Sequence, residues 1–164
     1  MEKSAWPRRR RPPHEVPSWV PQGARHFITL NTLTRDDRPL LRDGVAAALL
    51  ASGRHYEGVG RWFLWLMLIM PDHVHLIATF DLSRGIRSTV AGWKRFHAGR
   101  SNIRWQPGFF EHRLRNDAEF VEKAHYVRMN PVRKGLVASP EAWPFVIDAA
   151  RSENAPYPAP RWHR

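Results

Sequence analysis

The chain has no cysteine among its 164 residues. Disulfides and thiolate zinc sites are thereby excluded, an intracellular compartment is favoured, and any metal must be held through nitrogen and oxygen. Long apolar runs are missing too. The longest, Trp62 to Met70, is too short to span a bilayer and stops at Pro71-Asp72. The opening Met1-Glu2-Lys3-Ser4 has no apolar segment behind it, so a signal peptide is not expected and the chain reads as cytoplasmic. Acidic residues are scarce: 15 Asp and Glu stand against 26 Lys and Arg, a formal net charge of +11. A surplus of that size points to a polyanion, with nucleic acid ahead of an anionic membrane surface.

What is present fits one globular domain. The apolar fraction is 43%, with 8 Trp and 8 Phe, enough for a substantial core. No internal repeat is visible. Residues 1–24 hold Arg8, Arg9, Arg10 and Arg11 among prolines, a flexible basic arm able to order on a phosphate backbone. Residues 25–148 form the expected domain, and 149–164 a Pro-rich basic tail.

Within the domain, His26 to Leu33 alternates like a strand, and Arg35 to Pro39 is a turn. A helix is expected from Arg42 to about Ala51, ended by Ser52-Gly53. Arg61 to Met70 is apolar at nearly every position, the pattern of a central strand covered on both faces. Pro71-Asp72 turns the chain and His73 to Phe80 runs back. Leu82 to about His97 reads as a helix with Leu82, Ile86, Val90 and Trp93 inward. Arg84, Arg87, Lys94 and Arg95 give it a basic outer side, a candidate phosphate-contacting face or simply a solvated one. Ile103 to Gln106 and Phe109 to Leu114 read as one irregular strand or a bulged pair. Asn116 and Glu119 form a capping box for a helix that Pro131 should end. Ser139 to Phe145 is a short helix or turn whose aromatics pack on the sheet. The order predicts an α+β sandwich, an antiparallel sheet with helices against it.

Two constellations carry chemistry. In the strand from His73, alternate side chains share a face, so His73 and His75 stand together while Val74, Leu76, Ala78 and Phe80 make an apolar opposite face. A lone His-x-His is a common accident, and solvated histidines on a half-exposed strand would look the same. The second constellation lies on the Asn116–Asn130 helix. At about 100° per residue, Phe120, Ala124 and Val127 cluster on a buried face, with Tyr126 and Asn130 stacked on one flank and Lys123 between. Alone, Tyr126 is an ordinary boundary tyrosine and Asn130 a routine helix stop. Together with the histidines they offer a nitrogen–oxygen site with open positions, suited to Mg²⁺ or Mn²⁺, beside a tyrosine able to attack a phosphodiester.

At this point the chain resembles a known family. His73-Val74-His75 is similar to the His-hydrophobic-His signature of HUH endonucleases. The block Tyr126-Val127-Arg128-Met129-Asn130-Pro131-Val132-Arg133-Lys134-Gly135-Leu136-Val137 resembles the surroundings of the nucleophile in their single-tyrosine transposases, as does Trp105 to Arg115. The chain is similar to bacterial REP-associated tyrosine transposases across residues 24–146. The resemblance implies a ferredoxin-like fold with the HUH strand central in the sheet, His73 and His75 as metal ligands, and Tyr126 as nucleophile. Asn130 occupies the position of the third protein ligand, where related insertion-sequence transposases usually carry glutamine. Glu111 stands where the family usually has aspartate and is given no catalytic role. The reaction so implied is metal-dependent cleavage and rejoining of single-stranded DNA beside a hairpin, through a 5′-phosphotyrosine. Lys123, the Arg84–Arg95 helix face and the arm would contact phosphates, and monomer and homodimer both remain open. Two rivals stand beside it: a non-catalytic nucleic-acid-binding module on the same scaffold, and a phosphodiesterase that activates water at its metal.

Overall fold

The computed structural model describes residues 23–151 except Asp36. Arg8, Arg9, Arg10 and Arg11 of the expected arm lie outside the described residues, as does the tail from residue 152. Five strands and three helices follow in the order β1 (Arg25–Asn31), α1 (Val45–Gly58), β2 (Trp62–Ile69), β3 (His73–Phe80), α2 (Ile86–Arg100), β4 (Phe110–Leu114), α3 (Asp117–Arg133) and β5 (Val146–Asp148). The strands form one sheet in the order β4-β1-β3-β2-β5, and every pairing is antiparallel. The first four strands with α1 and α2 make a ferredoxin-like α+β sandwich, the sandwich expected from the element order and the ferredoxin-like arrangement from the resemblance. β3, with its histidines, sits at its centre.

Strand periodicity sorts the core into two layers. Ile28, Leu30, Val74, Leu76, Ala78 and Phe80 face α1 and α2, where Leu49, Val90 and Trp93 meet them. Phe27, Trp65, Leu68 and Ile77 face the other way, onto Ala124 and Val127 of α3. β2 changes parity midway. Its pairing with β3 slips between Leu64 and Leu66, so Leu64 and Met67 face α1 while Trp65 and Leu66 both face α3. Because β2 is apolar throughout, its sequence has no period from which that bulge could be placed.

Four expectations about the elements are corrected. Ser52-Gly53 does not end α1, which continues to Gly58. A Cβ on Gly53 would lie 2.9 Å from Met67 Sδ, so this glycine marks close helix–sheet approach, not a helix stop. The Trp62 indole N–H donates to the Gly53 carbonyl at the same contact. The second helix starts at Ile86, after Gly85 at φ 78°, not at Leu82. Pro131 lies inside α3, which runs one turn beyond it to Arg133. Pro131 is itself buried, and the turn beyond it closes through the Lys134 N–H, which donates to the Asn130 carbonyl at 3.0 Å. The stretch Ile103–Leu114 is two pieces, since Trp105 makes an isolated bridge to Thr32 while only Phe110–Leu114 joins the sheet.

The expected cap of α3 forms, with Asn116 Oδ1 accepting from the Glu119 backbone N–H at 2.9 Å. Glu119 reaches back to the N–H of Arg115. β5 was not anticipated. Trp143 and Phe145 pack on the sheet as expected, and the Trp143 indole donates to the Ile69 carbonyl. The chain then pairs Val146–Asp148 with β2. Asp148 is buried and receives a bidentate pair of hydrogen bonds from Arg128 of α3, at 2.7 and 2.9 Å. A buried pair of this kind is costly to break from one side, about 3–5 kcal/mol, and it fixes α3 over the sheet. Among the described residues, no helix is long and apolar enough to cross a membrane.

Candidate metal and nucleophile site

β3 delivers the two imidazoles and α3 covers them. His73 Nε2 and His75 Nε2 are 3.1 Å apart, and Asn130 Nδ2 lies 3.4 Å from His73 Nε2. The rings of His75 and Tyr126 are 6.4 Å apart between centroids. Residues separated by some fifty positions are thus brought to one point. Asn130 and His75 are buried, whereas Tyr126 is 45% exposed and open to a large substrate.

Each imidazole has its second nitrogen engaged. Asp72 Oδ1 is 2.7 Å from His73 Nδ1, and Thr29 Oγ1 is 2.9 Å from His75 Nδ1. A carboxylate accepts only, so His73 carries its proton on Nδ1 and turns the Nε2 lone pair inward. The Thr29 hydroxyl can accept or donate and so permits either tautomer of His75. Burial, then the charges of His73, Lys123 and Arg133, lower the pKa of His75 to about 3. His75 is therefore a neutral imidazole at physiological pH, the form that ligates a metal. Two inward nitrogens 3.1 Å apart can both reach one ion at about 2.1 Å with roughly a right angle between them. The Asn130 amide can turn its oxygen to the same point. The donor set, two nitrogens and one amide oxygen, fits a divalent ion with open positions.

Two cations rest against the tyrosine. Arg133 Cζ lies 4.1 Å and Lys123 Nζ 5.2 Å from the Tyr126 ring centroid, with Lys123 also 4.8 Å from that of Phe27. Arg133 Nη2 further donates to the Tyr126 carbonyl at 2.8 Å. Lys123 is therefore where the helix wheel put it. Arg133, Asp72 and Thr29 were not singled out. Arg133 could have been found, since seven residues bring a helix back to nearly the same face. Thr29 had no sequence signal, because its role comes from the register that pairs it with His75.

The basic helix face is placed elsewhere. α2 packs on the sheet face opposite α3, so Arg84, Arg87, Lys94 and Arg95 do not join the histidines. Arg84 and Arg87 rim a separate groove that reaches Phe109. The Lys94 ammonium donates to the carbonyls of Gln106 and Gly108, which ties down the loop before β4 and occupies it structurally. Glu111 pairs with His26 of β1 at 2.6 Å.

No protein-family model matches the chain. It is 36% identical over 84 residues to the REP-associated tyrosine transposase of Escherichia coli K12, covering 48% of this chain and 49% of that one. It is 27% identical over 94 residues to a protein of Haemophilus influenzae described in the same terms, covering 47% and 53%. The chain thus spans about half the length of the curated relatives it matches. A solved structure of a REP-associated tyrosine transposase bound to a REP hairpin superposes with a TM-score of 0.58 at 27% identity, covering 80% of this chain and 81% of that one. In sequence and in fold, the chain is similar to REP-associated tyrosine transposases.

Proposed function

We propose that this chain, similar in sequence and fold to REP-associated tyrosine transposases, cleaves and rejoins single-stranded DNA beside hairpin-forming repeats. The observation that carries the reading is the meeting of His73, His75 and Asn130 at one point with Tyr126 beside them. The hairpin enters because the structural relative is bound to one. His73, His75 and Asn130 would hold a divalent metal, Mg²⁺ or Mn²⁺, and when bound it would withdraw charge from the scissile phosphate. The residues of the chain do the rest. Tyr126 Oη bonds to phosphorus as the bond from phosphorus to the 3′-oxygen breaks, and the tyrosyl proton ends on the departing 3′-hydroxyl. The product is a 5′-phosphotyrosine, and attack by a 3′-hydroxyl reverses the step without an external energy source. Lys123 and Arg133, already against the ring, are placed to offset charge on the phosphate that Tyr126 attacks.

The test is a labelled hairpin DNA with single-stranded flanks, incubated with Mn²⁺ or Mg²⁺ and resolved on a denaturing gel. Wild type is expected to give a protein–DNA adduct, and Tyr126→Phe to bind without cutting. Equal cutting by Tyr126→Phe would remove the tyrosine from the mechanism. Cutting without an adduct would favour the water-activating phosphodiesterase, and binding without cutting by wild type would favour a non-catalytic module.

A further inference from the structure

Beside His73, on the side of the β2–β3 turn, lies a second cavity of about 370 Å³. Met70, Pro71 and Leu136 give it apolar walls, and among the described residues three cations, Arg35, Arg38 and Lys134, line it with a single carboxylate, Asp72. That carboxylate is already committed to His73, and Arg35 stands 4.0 Å from its other oxygen. The cavity thus carries a clear positive excess at the edge of the candidate site.

The cavity is built from segments that are pinned to one another. Thr32 donates from its backbone N–H and its hydroxyl to the Asp72 carbonyl, and Leu40 donates to the carbonyl of Pro71. The loop carrying Arg35 and Arg38 is thereby held against the turn carrying Asp72. Arg38 itself adopts φ 45°, ψ 54°, a left-handed conformation that costs a non-glycine residue on the order of 1 kcal/mol. On the third side, the turn that closes α3 presents Lys134, with Gly135 at φ 69° and Leu136 donating to the Pro131 carbonyl. Two segments distant in sequence, the loop carrying Arg35 and Arg38 and the turn closing α3, therefore bring their cations to one concavity contiguous with His73.

We infer that this cavity binds a backbone phosphate of the single-stranded DNA flank, next along the strand from the phosphate presented to Tyr126. The inference rests on the reading of His73, His75, Asn130 and Tyr126 as a strand-cleaving centre. A second anchored phosphate fixes the direction in which the strand crosses the site, which contact at one phosphate cannot do. A cavity lined by arginine and lysine, with apolar walls and one engaged carboxylate, suits a flexible phosphodiester and the edge of its sugar.

The test is direct binding in EDTA, which needs neither the metal nor cleavage. Wild type, the triple variant Arg35→Gln/Arg38→Gln/Lys134→Gln, and the charge control Arg54→Gln on α1 are titrated with two probes. One is a blunt hairpin DNA and the other the same hairpin with a single-stranded flank. For the flanked probe, the triple variant is expected to bind about tenfold more weakly, with a salt slope shallower by about 0.7, the value of one single-strand phosphate. The blunt hairpin should distinguish the triple variant from wild type no more than Arg54→Gln does. Equal losses on both probes, or no loss on either, overturn the inference. The adduct assay fails or succeeds separately: flank binding lost in the triple variant without any wild-type adduct would spare the cavity and sink the cleavage reading. A wild-type adduct with unchanged flank binding would do the reverse.

Discussion

His75 meets two opposing conditions for a metal ligand. Burial keeps it neutral, and Thr29 can accept from its Nδ1, the tautomer in which the inner nitrogen is free to ligate. His73 is less buried and depends on Asp72 for the same orientation. Replacing Asp72 with asparagine exchanges an acceptor-only carboxylate for an amide that can also donate, so the His73 proton is no longer fixed on Nδ1. Partners of this kind are worth about 10–100-fold in metal affinity. Calorimetric titration with Mn²⁺ should accordingly show Asp72→Asn binding within that range below wild type. An unchanged affinity would mean that His73 is oriented by the strand alone. Asp72 stands directly before His73 in the chain, so the partner was in plain view, but a turn residue next to proline reads as a turn residue first.

At the scale of elements, the site depends on how closely helices approach the sheet. α1 lies against β2 at Gly53, where an added methyl would meet Met67 Sδ at 2.9 Å. Gly53→Ala gains helix propensity of up to about 1 kcal/mol. It also overpacks a filled contact, at about 1–3 kcal/mol. Because Met67 is fully buried and Leu64 Cδ1 would lie 3.3 Å from the same methyl, the net expectation is a lower denaturation midpoint, measured in urea with an unchanged slope. A higher midpoint would show that Met67 moves aside freely. The same balance explains the two helix ends misjudged from sequence. Ser52-Gly53 and Pro131 are local stop signals; the first is overridden where Tyr56, in the following turn, packs on the core, and the second where Pro131 is itself buried in the last turn of α3.

For the whole molecule, acid is the informative variable. His97 is fully buried on α2, next to Trp93 and Ser52. Trp93 donates to Ser52 Oγ, which in turn donates to the Leu49 carbonyl. His97 Nε2 lies 2.6 Å from Ser52 Oγ and is donor or acceptor according to the imidazole's tautomer. Burial, then Arg100, lowers its pKa to about 4 from an ordinary 6.5. Below 6.5 the unfolded chain takes up a proton that the folded one refuses, so stability falls as pH drops from 6.5 towards 4. The slope for one such group is at most about 1.4 kcal/mol per pH unit. His97→Phe should flatten urea midpoints across that window in EDTA, whatever it costs at neutral pH. A slope equal to that of wild type would assign the acid sensitivity elsewhere, with His75 next.

The sequence by itself determined the element types, the shared face of His73 and His75, and the stacking of Tyr126 over Asn130. These follow from the two- and 3.6-residue periods of the backbone, which need no knowledge of neighbours. It also determined the capping of α3, because Asn116 and Glu119 act within one turn. Tertiary structure decided what depends on contact between distant segments. The β2 bulge, the β5 strand and the pairing of Thr29 with His75 come from register, which an all-apolar strand or a three-residue strand does not encode locally. Structure also placed the basic face of α2 on the opposite side of the sheet from the histidines and drew Arg35, Arg38 and Lys134 beside them instead. Charge counts in a sequence carry no direction; the fold assigns each charge a face.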